Sequence, residues 1–353
     1  MTAGLVALVG TAAARPPVSH TLRRTWGGSI DALAQDGGAV AWLASGGSAC
    51  NAVHVLSDGK TQLAPDPAAG SMTCRWDLAE QQPELALAAG AQETLWTLHE
   101  DGPSPVDYVM TADFDGPERR LDRLAHASDG TGLWLGGVAG AGQTLAYSVV
   151  EIKYVDQIAC LSGGSCKQRI SGGGVRTVSD GRATPLPGAE PALELAASAG
   201  RLAYVPASGV DASGAPTASA SGGVEVVDAT SGTSVSEVQP QGVPLALGLS
   251  RHTLAILTRD GRRDRISWYD ADDGTQLGSV TVSARTAPQL ALSDRIAVYR
   301  IGRTLRGLVL GTSRSRMLGK VSGTPVGLTL AHGLLAWAEN RGGMGRIRTL
   351  PVG

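Results

Sequence analysis

Apolar residues fall along the chain in short runs with a period of two, broken by turns rich in glycine and aspartate. Where every second side chain is apolar, a β-strand buries one face, and no helical period competes over a comparable length. One pattern recurs from end to end: a Leu- or Ile-centred strand, a turn, then an apolar-Ala-aromatic triplet or a near relative. The seven triplets are Val40-Ala41-Trp42, Thr94-Leu95-Trp96, Leu145-Ala146-Tyr147, Leu202-Ala203-Tyr204, Leu254-Ala255-Ile256, Ile296-Ala297-Val298 and Leu335-Ala336-Trp337. Their last residues are about 49 positions apart on average, the length of a four-stranded repeat unit.

The strand before the triplet repeats as well. Pro83, Pro191, Pro244, Pro288 and Pro325 each lead into a Leu-x-Leu segment. Proline suits the first residue of a strand, where its missing N–H breaks no ladder. After the triplet come a third strand and a tight turn at Asp58-Gly59, Asp115-Gly116, Asp180-Gly181, Ser231-Gly232 and Asp273-Gly274. Glycine accepts the positive φ such hairpins need. The last repeat holds only three strands, ending at Arg346–Leu350, while Thr21–Trp26 precedes the first repeat and has no unit of its own. Pairing these leftovers would remove two exposed edges. The expected fold is therefore all-β: a seven-bladed β-propeller of four-stranded antiparallel blades, closed by the N-terminal strand.

Two stretches resemble the third strand and turn of WD40-like or quinoprotein-like propeller blades. They are Arg265-Ile266-Ser267-Trp268-Tyr269-Asp270-Ala271-Asp272-Asp273-Gly274-Thr275 and Val224-Glu225-Val226-Val227-Asp228-Ala229-Thr230-Ser231-Gly232. The Gly-His pair of strict WD40 blades is absent, as is the tryptophan that follows the turn in pyrroloquinoline-quinone enzymes. What the resemblance implies is a fold, and not a ligand.

Composition narrows the class. With 353 residues, 42% of them apolar, the chain has enough material for a core. Its net charge of −2 argues against a dedicated nucleic-acid binder, and no apolar run reaches the ~18 residues of a spanning helix. The segment 1–14, with Leu5-Val6-Ala7-Leu8-Val9 before Ala12-Ala13-Ala14, reads as the remnant of a secretion signal, leaving 15–353 as one propeller domain. An even cysteine count fits export: Cys160 and Cys166 flank a short flexible loop, and Cys50 and Cys74 remain as the other pair. From residue 300 on, Arg300, Arg303, Arg306, Arg314, Arg316, Lys320, Arg341, Arg346 and Arg348 face a single acid, Glu339. This is either a solvated face or a polyanion-binding side.

The third and fourth repeats are lengthened between their second and third strands, over 151–171 and 207–221. In a propeller this connection shares a face with the blade-to-blade connections, so all four cysteines map to that loop-rich face. Trp26, Trp76 and Trp134, near the starts of inner strands, with Lys153 and Tyr154 on the first insertion, are the candidate binding residues; the tryptophans serve equally well as packing between blades. The six histidines lack metal-ligand spacing, and Asp270–Gly274, which superficially resembles a calcium loop, reads as a turn. No metal or cofactor is expected. No catalytic motif stands out, so the expected function is an exported, non-enzymatic binding or scaffold propeller, monomeric, with a protein or cell-surface glycan partner. The alternative is a cell-surface glycan hydrolase or lyase pairing two of the channel carboxylates Asp31, Glu84 and Glu194. A quinone-dependent dehydrogenase is a third reading.

Overall fold

Each repeat folds as one antiparallel sheet, because its alternating strands can bury both faces only against neighbouring repeats. A computed structural model describes residues 21–26, 28–45, 52–57, 60–63, 86–100, 105–114, 116–156, 158, 160, 166–218, 222–283 and 286–352. Blade one comprises β2 (Ser29–Asp36), β3 (Ala39–Ser45), β4 (Ala52–Ser57) and β5 (Lys60–Leu63). Blade two is β6 (Leu87–Gly90), β7 (Glu93–Glu100), β8 (Val106–Asp113) and β9 (Arg119–Ala125). Blade three is β10 (Gly132–Ala141), β11 (Thr144–Tyr154), β12 (Gln168–Ser179) and β13 (Arg182–Pro185). Blade four holds β14 (Ala192–Ser198), β15 (Arg201–Val210), β17 (Val224–Asp228) and β18 (Ser234–Val238), with the extra β16 (Pro216–Ala218) paired to β15. Blade five is β19 (Val243–Leu249), β20 (Thr253–Asp260), β21 (Arg263–Asp270) and β22 (Gln276–Val282). Blade six is β23 (Thr286–Leu292), β24 (Ile296–Ile301), β25 (Thr304–Val309) and β26 (Arg314–Lys320). Blade seven takes β27 (Thr324–Ala331), β28 (Leu334–Arg341) and β29 (Met344–Pro351) from the chain's end and β1 (Thr21–Trp26) from its start.

The strand β1 pairs antiparallel with β29, with Thr25 opposite Arg346 and Trp26 opposite Gly345. Blade seven then packs on blade one through Ala336, Ala338 and Ile347 against Ile30, Leu33 and Trp42. The Asn340 side chain clasps the same junction: Nδ2 donates to the Ile30 carbonyl at 2.8 Å, and Oδ1 accepts from the Ile30 N–H at 2.9 Å. A further hydrogen bond runs from Thr329 Oγ1 to Gln35 Oε1 at 3.0 Å.

The core is a set of layers between blades. Every triplet lies on the second strand of its blade. Its last residue faces an inner-strand residue across the ladder: Leu33 opposite Trp42, Leu87 opposite Trp96, Val138 opposite Tyr147, Leu195 opposite Tyr204, Leu247 opposite Ile256 and Leu328 opposite Trp337. In blade six the same pairing joins Ala291 to Val298, and Leu290 meets Tyr299 beside it. Facing pairs share one side of a sheet, so each large ring packs over an aliphatic neighbour.

The prolines depart from the expected first position. Pro191 precedes β14, but Pro244, Pro288 and Pro325 lie inside β19, β23 and β27, at or beside register shifts. These are inner, edge strands, where a missing N–H costs no ladder bond and a bulge bends the strand. Pro83 lies outside the described residues.

Since neighbouring strands are antiparallel, second-to-third connections and blade-to-blade connections share one face, called upper here. Inner-to-second and third-to-outer turns share the lower face.

Candidate functional site

Seven inner strands surround a channel, and a ring of aliphatic side chains forms its waist. Leu33, Leu87, Val138, Leu247, Leu290 and Leu328 border the cavities on both sides of this waist. The lower cavity measures about 620 Å³. Small residues such as Ala34, Ala88, Ala139, Ala196 and Ala291 leave it open, and Asp36, Ser198, Arg251, Asp294 and His332 stand at its mouth. The upper cavity, about 380 Å³, is bordered by Asp31, Glu194 and Gln289. Two of the three carboxylates read from the sequence as a possible pair therefore reach one cavity, and Glu84 lies outside the described residues.

The upper rim is built up on blades three and four. The insertions expected at 151–171 and 207–221 contain strand, over 151–154 and 168–171 in the first and 207–210 and 216–218 in the second. Val150-Glu151-Ile152-Lys153-Tyr154 alternates apolar and polar side chains, so β11 runs on, and its ladder with β12 extends to Tyr154 opposite Gln168. In blade four, β15 leaves β17 after Tyr204 and pairs instead with β16. The tip of this hairpin is ordered by Asp211, whose Oδ1 accepts from the Ser213 N–H at 2.8 Å and the Ala215 N–H at 3.1 Å. An Asx turn of this kind mimics a backbone turn.

That tip lies on the loop joining blades two and three. Gly214 meets Gly130 so closely that a Cβ on Gly130 would stand 2.6 Å from the Gly214 Cα, and both have positive φ, +88° and +89°. Asp129 organises this loop. Its Oδ1 accepts from the Thr131 N–H at 2.9 Å, and its Oδ2 accepts from the Tyr154 hydroxyl at 2.5 Å. Gln168 Nε2 donates to the Asp129 carbonyl at 2.6 Å. The bond from Tyr154, then those from Thr131, hold the Asp129 carboxyl below its usual range, and the same bond pushes the Tyr154 hydroxyl up.

Trp134 stacks on His126, ring centroids 4.0 Å apart and planes 15° from parallel, and its Nε1 donates to the Gly130 carbonyl at 2.7 Å. It also packs with Ile170, Leu193 and Val210 on a small cluster of Val150, Ile152 and Ala207. Beside it, Lys153 Nζ pairs with Glu151 Oε1 at 2.7 Å and keeps 62% of its side chain exposed. Cys160 and Cys166 form a disulfide in the connection beyond Tyr154, where Ile158 is 81% exposed.

Of the expected binding residues, the structure brings Trp134 and Tyr154 into one corner, while Lys153, next along β11, pairs with Glu151. Trp26 ends β1 in blade seven, and Trp76, Cys50 and Cys74 lie outside the described residues. Sequence reasoning missed Asp129, His126, Gln168 and the Gly130–Gly214 contact. The signal available for them was the pair of short turns Asp129-Gly130-Thr131 and Asp211–Ala215, each opening with an aspartate. The calcium-like stretch behaves as a turn: Asp270 Oδ1 accepts from the Asp272 N–H at 2.8 Å, and Asp272 pairs with Arg201 at 2.5 Å.

No known family model matches the chain, and no curated protein sequence matches it. Solved structures similar to it include BamB from Moraxella catarrhalis, at 11% identity over 91% of this chain and 85% of that one, TM-score 0.46. AztD from Citrobacter koseri is similar at 14% identity over 85% and 73% of the two chains, TM-score 0.45. The propeller of Dos1 is similar at 9% identity over 94% and 95%, TM-score 0.48. The likeness is one of chain path; the seven-bladed ring itself is read from the sheet order.

Proposed function

We propose that the protein is an exported, non-enzymatic binding or scaffold propeller whose ligand sits on the upper rim of blades three and four. The observation that carries this reading is the contact between the β15–β16 hairpin and the 127–131 loop, which fixes Trp134 and Tyr154 in one preformed corner, with the exposed Lys153 next to Tyr154 along β11. A surface ordered before binding loses less freedom when a partner arrives. Export is supported by the Cys160–Cys166 disulfide and by the signal-like segment 1–14. Among the described residues no helix is long and apolar enough to cross a membrane.

A thermal-shift panel of short peptides and cell-wall glycans on the oxidised protein tests the reading. A ligand at ~100 times its dissociation constant adds about 2.7 kcal/mol to the folded state. The shift should vanish in a Lys153→Ala/Tyr154→Ala variant, and an unchanged shift would count against this face.

One observation favours a second reading, a glycan hydrolase or lyase: Asp31 and Glu194 border the same upper cavity. Turnover of a glycan that is lost in both Asp31→Asn and Glu194→Gln would establish it over the first.

A further inference from the structure

The upper face is divided. Blades three and four carry the raised rim, whereas blades five, six and seven turn back in two-residue hairpins, Asp260 opposite Arg263, Ile301 opposite Thr304 and Arg341 opposite Met344. Gly261, Gly302, Gly342 and Gly343 supply the positive φ these turns need. Each turn presents a cation: Arg262, Arg303 and Arg341, all exposed, with Arg263, Arg300 and Lys320 beside them. Among the described residues, none of these six is in an ion pair.

The nearby acids do not neutralise the arc. Asp264 is buried and held by Arg259 through bonds of 2.8 and 3.2 Å. Glu339 is buried and held by Arg348 at 2.9 Å. Asp260 is the one exposed carboxylate among the described residues of these turns. Arg300 is half-buried, with NH1 on the Gly302 carbonyl at 2.7 Å and a buried Nε that has no acceptor. Burial pushes its pKa down, so an added carboxylate there would be favoured.

We infer that this arc is a second interaction surface and that it takes an acidic polypeptide. This goes beyond the rim reading and uses none of its residues. Arginine and methionine are enriched in protein interfaces while aspartate and glutamate are depleted, and the arc matches that pattern, with Val243 and Met344 each 39% exposed among the guanidinium groups. Arginine's planar fork suits bidentate bonds to carboxylates. A flat membrane fits less well, because the blade-three and blade-four strands continue past the level at which blades five to seven turn back. Single-stranded nucleic acid would want aromatic stacking platforms, and the described residues of these turns carry none.

The test is fluorescence anisotropy of a labelled poly-L-glutamate peptide on the full oxidised chain. Arg262→Glu/Arg303→Glu/Arg341→Glu should weaken binding by about tenfold or more and flatten its salt dependence. The matched control, Arg182→Glu/Arg251→Glu/Arg314→Glu, changes the same charge on the lower face and should leave binding within about twofold. Arg→Gln versions of both sets, checked by thermal melting, guard against misfolding. Equal losses in the two sets, or no loss in the first, would overturn the inference. So would tighter binding of polyphosphate or heparin than of poly-L-glutamate at the same arginines. Failure here leaves the Lys153/Tyr154 test untouched.

Discussion

Glu339 has no exposed side-chain surface, yet it sits in a charged state that its neighbours enforce. Burial pushes its carboxyl pKa up. Bonds from the Ser322 hydroxyl at 2.6 Å, the Ser322 N–H at 2.7 Å and Arg348 Nε at 2.9 Å more than reverse this, leaving it below its ordinary value of 4.5. A depressed carboxyl contributes stability that is complete above its unfolded-state value and is lost as pH falls through the folded one. Glu339→Gln strands the mostly buried Arg348 and should cost about 3 kcal/mol at pH 7. In urea titrations the gap between wild type and variant should narrow below pH 4.5; a gap independent of pH would show that the pair is not ionised as described.

At the scale of elements, the β15–β16 hairpin is held to blade three by its tip. Gly130→Ala puts a methyl into Gly214 and forces a positive φ on alanine, at a cost of ~1–3 kcal/mol. The expected result is local: faster amide hydrogen exchange over 207–218, with the melting of the seven sheets little changed. A global loss of stability would mean that the hairpin is part of the ring's cooperative core. The ring strands were legible in the sequence because the triplet, or a near relative, recurs on the second strand of blade after blade, repeating the Trp42, Trp96 and Tyr147 positions. The hairpin was not. Nothing in Ala207–Ser221 alternates strongly, and its partner loop belongs to a different blade, so no local pattern encodes their contact. The same limit hid Asp129, which reads as an ordinary turn residue until Tyr154 is placed over it.

At the scale of the molecule, closure rests on joining the two ends of the chain. Leftover strands at Thr21–Trp26 and Arg346–Leu350 pointed to it, and β1 does pair with β29. The Asn340 clasp could not be foreseen, because an asparagine after a triplet looks like any turn former. Asn340→Ala removes both bonds to Ile30 and should cost ~1–3 kcal/mol, read as a lower urea midpoint; no change would place ring closure wholly in the apolar layer around Trp42 and Ile347. A closed ring leaves its faces as the surfaces for recognition, and the upper face is where strands and loops were added. The most direct measurement is a binding isotherm of the tightest peptide or glycan from the thermal-shift panel, taken on wild type, Lys153→Ala/Tyr154→Ala and Asp31→Asn/Glu194→Gln. The first variant should bind about tenfold more weakly and the second as tightly as wild type. The reverse order would move the site into the channel and contradict its placement on the upper rim.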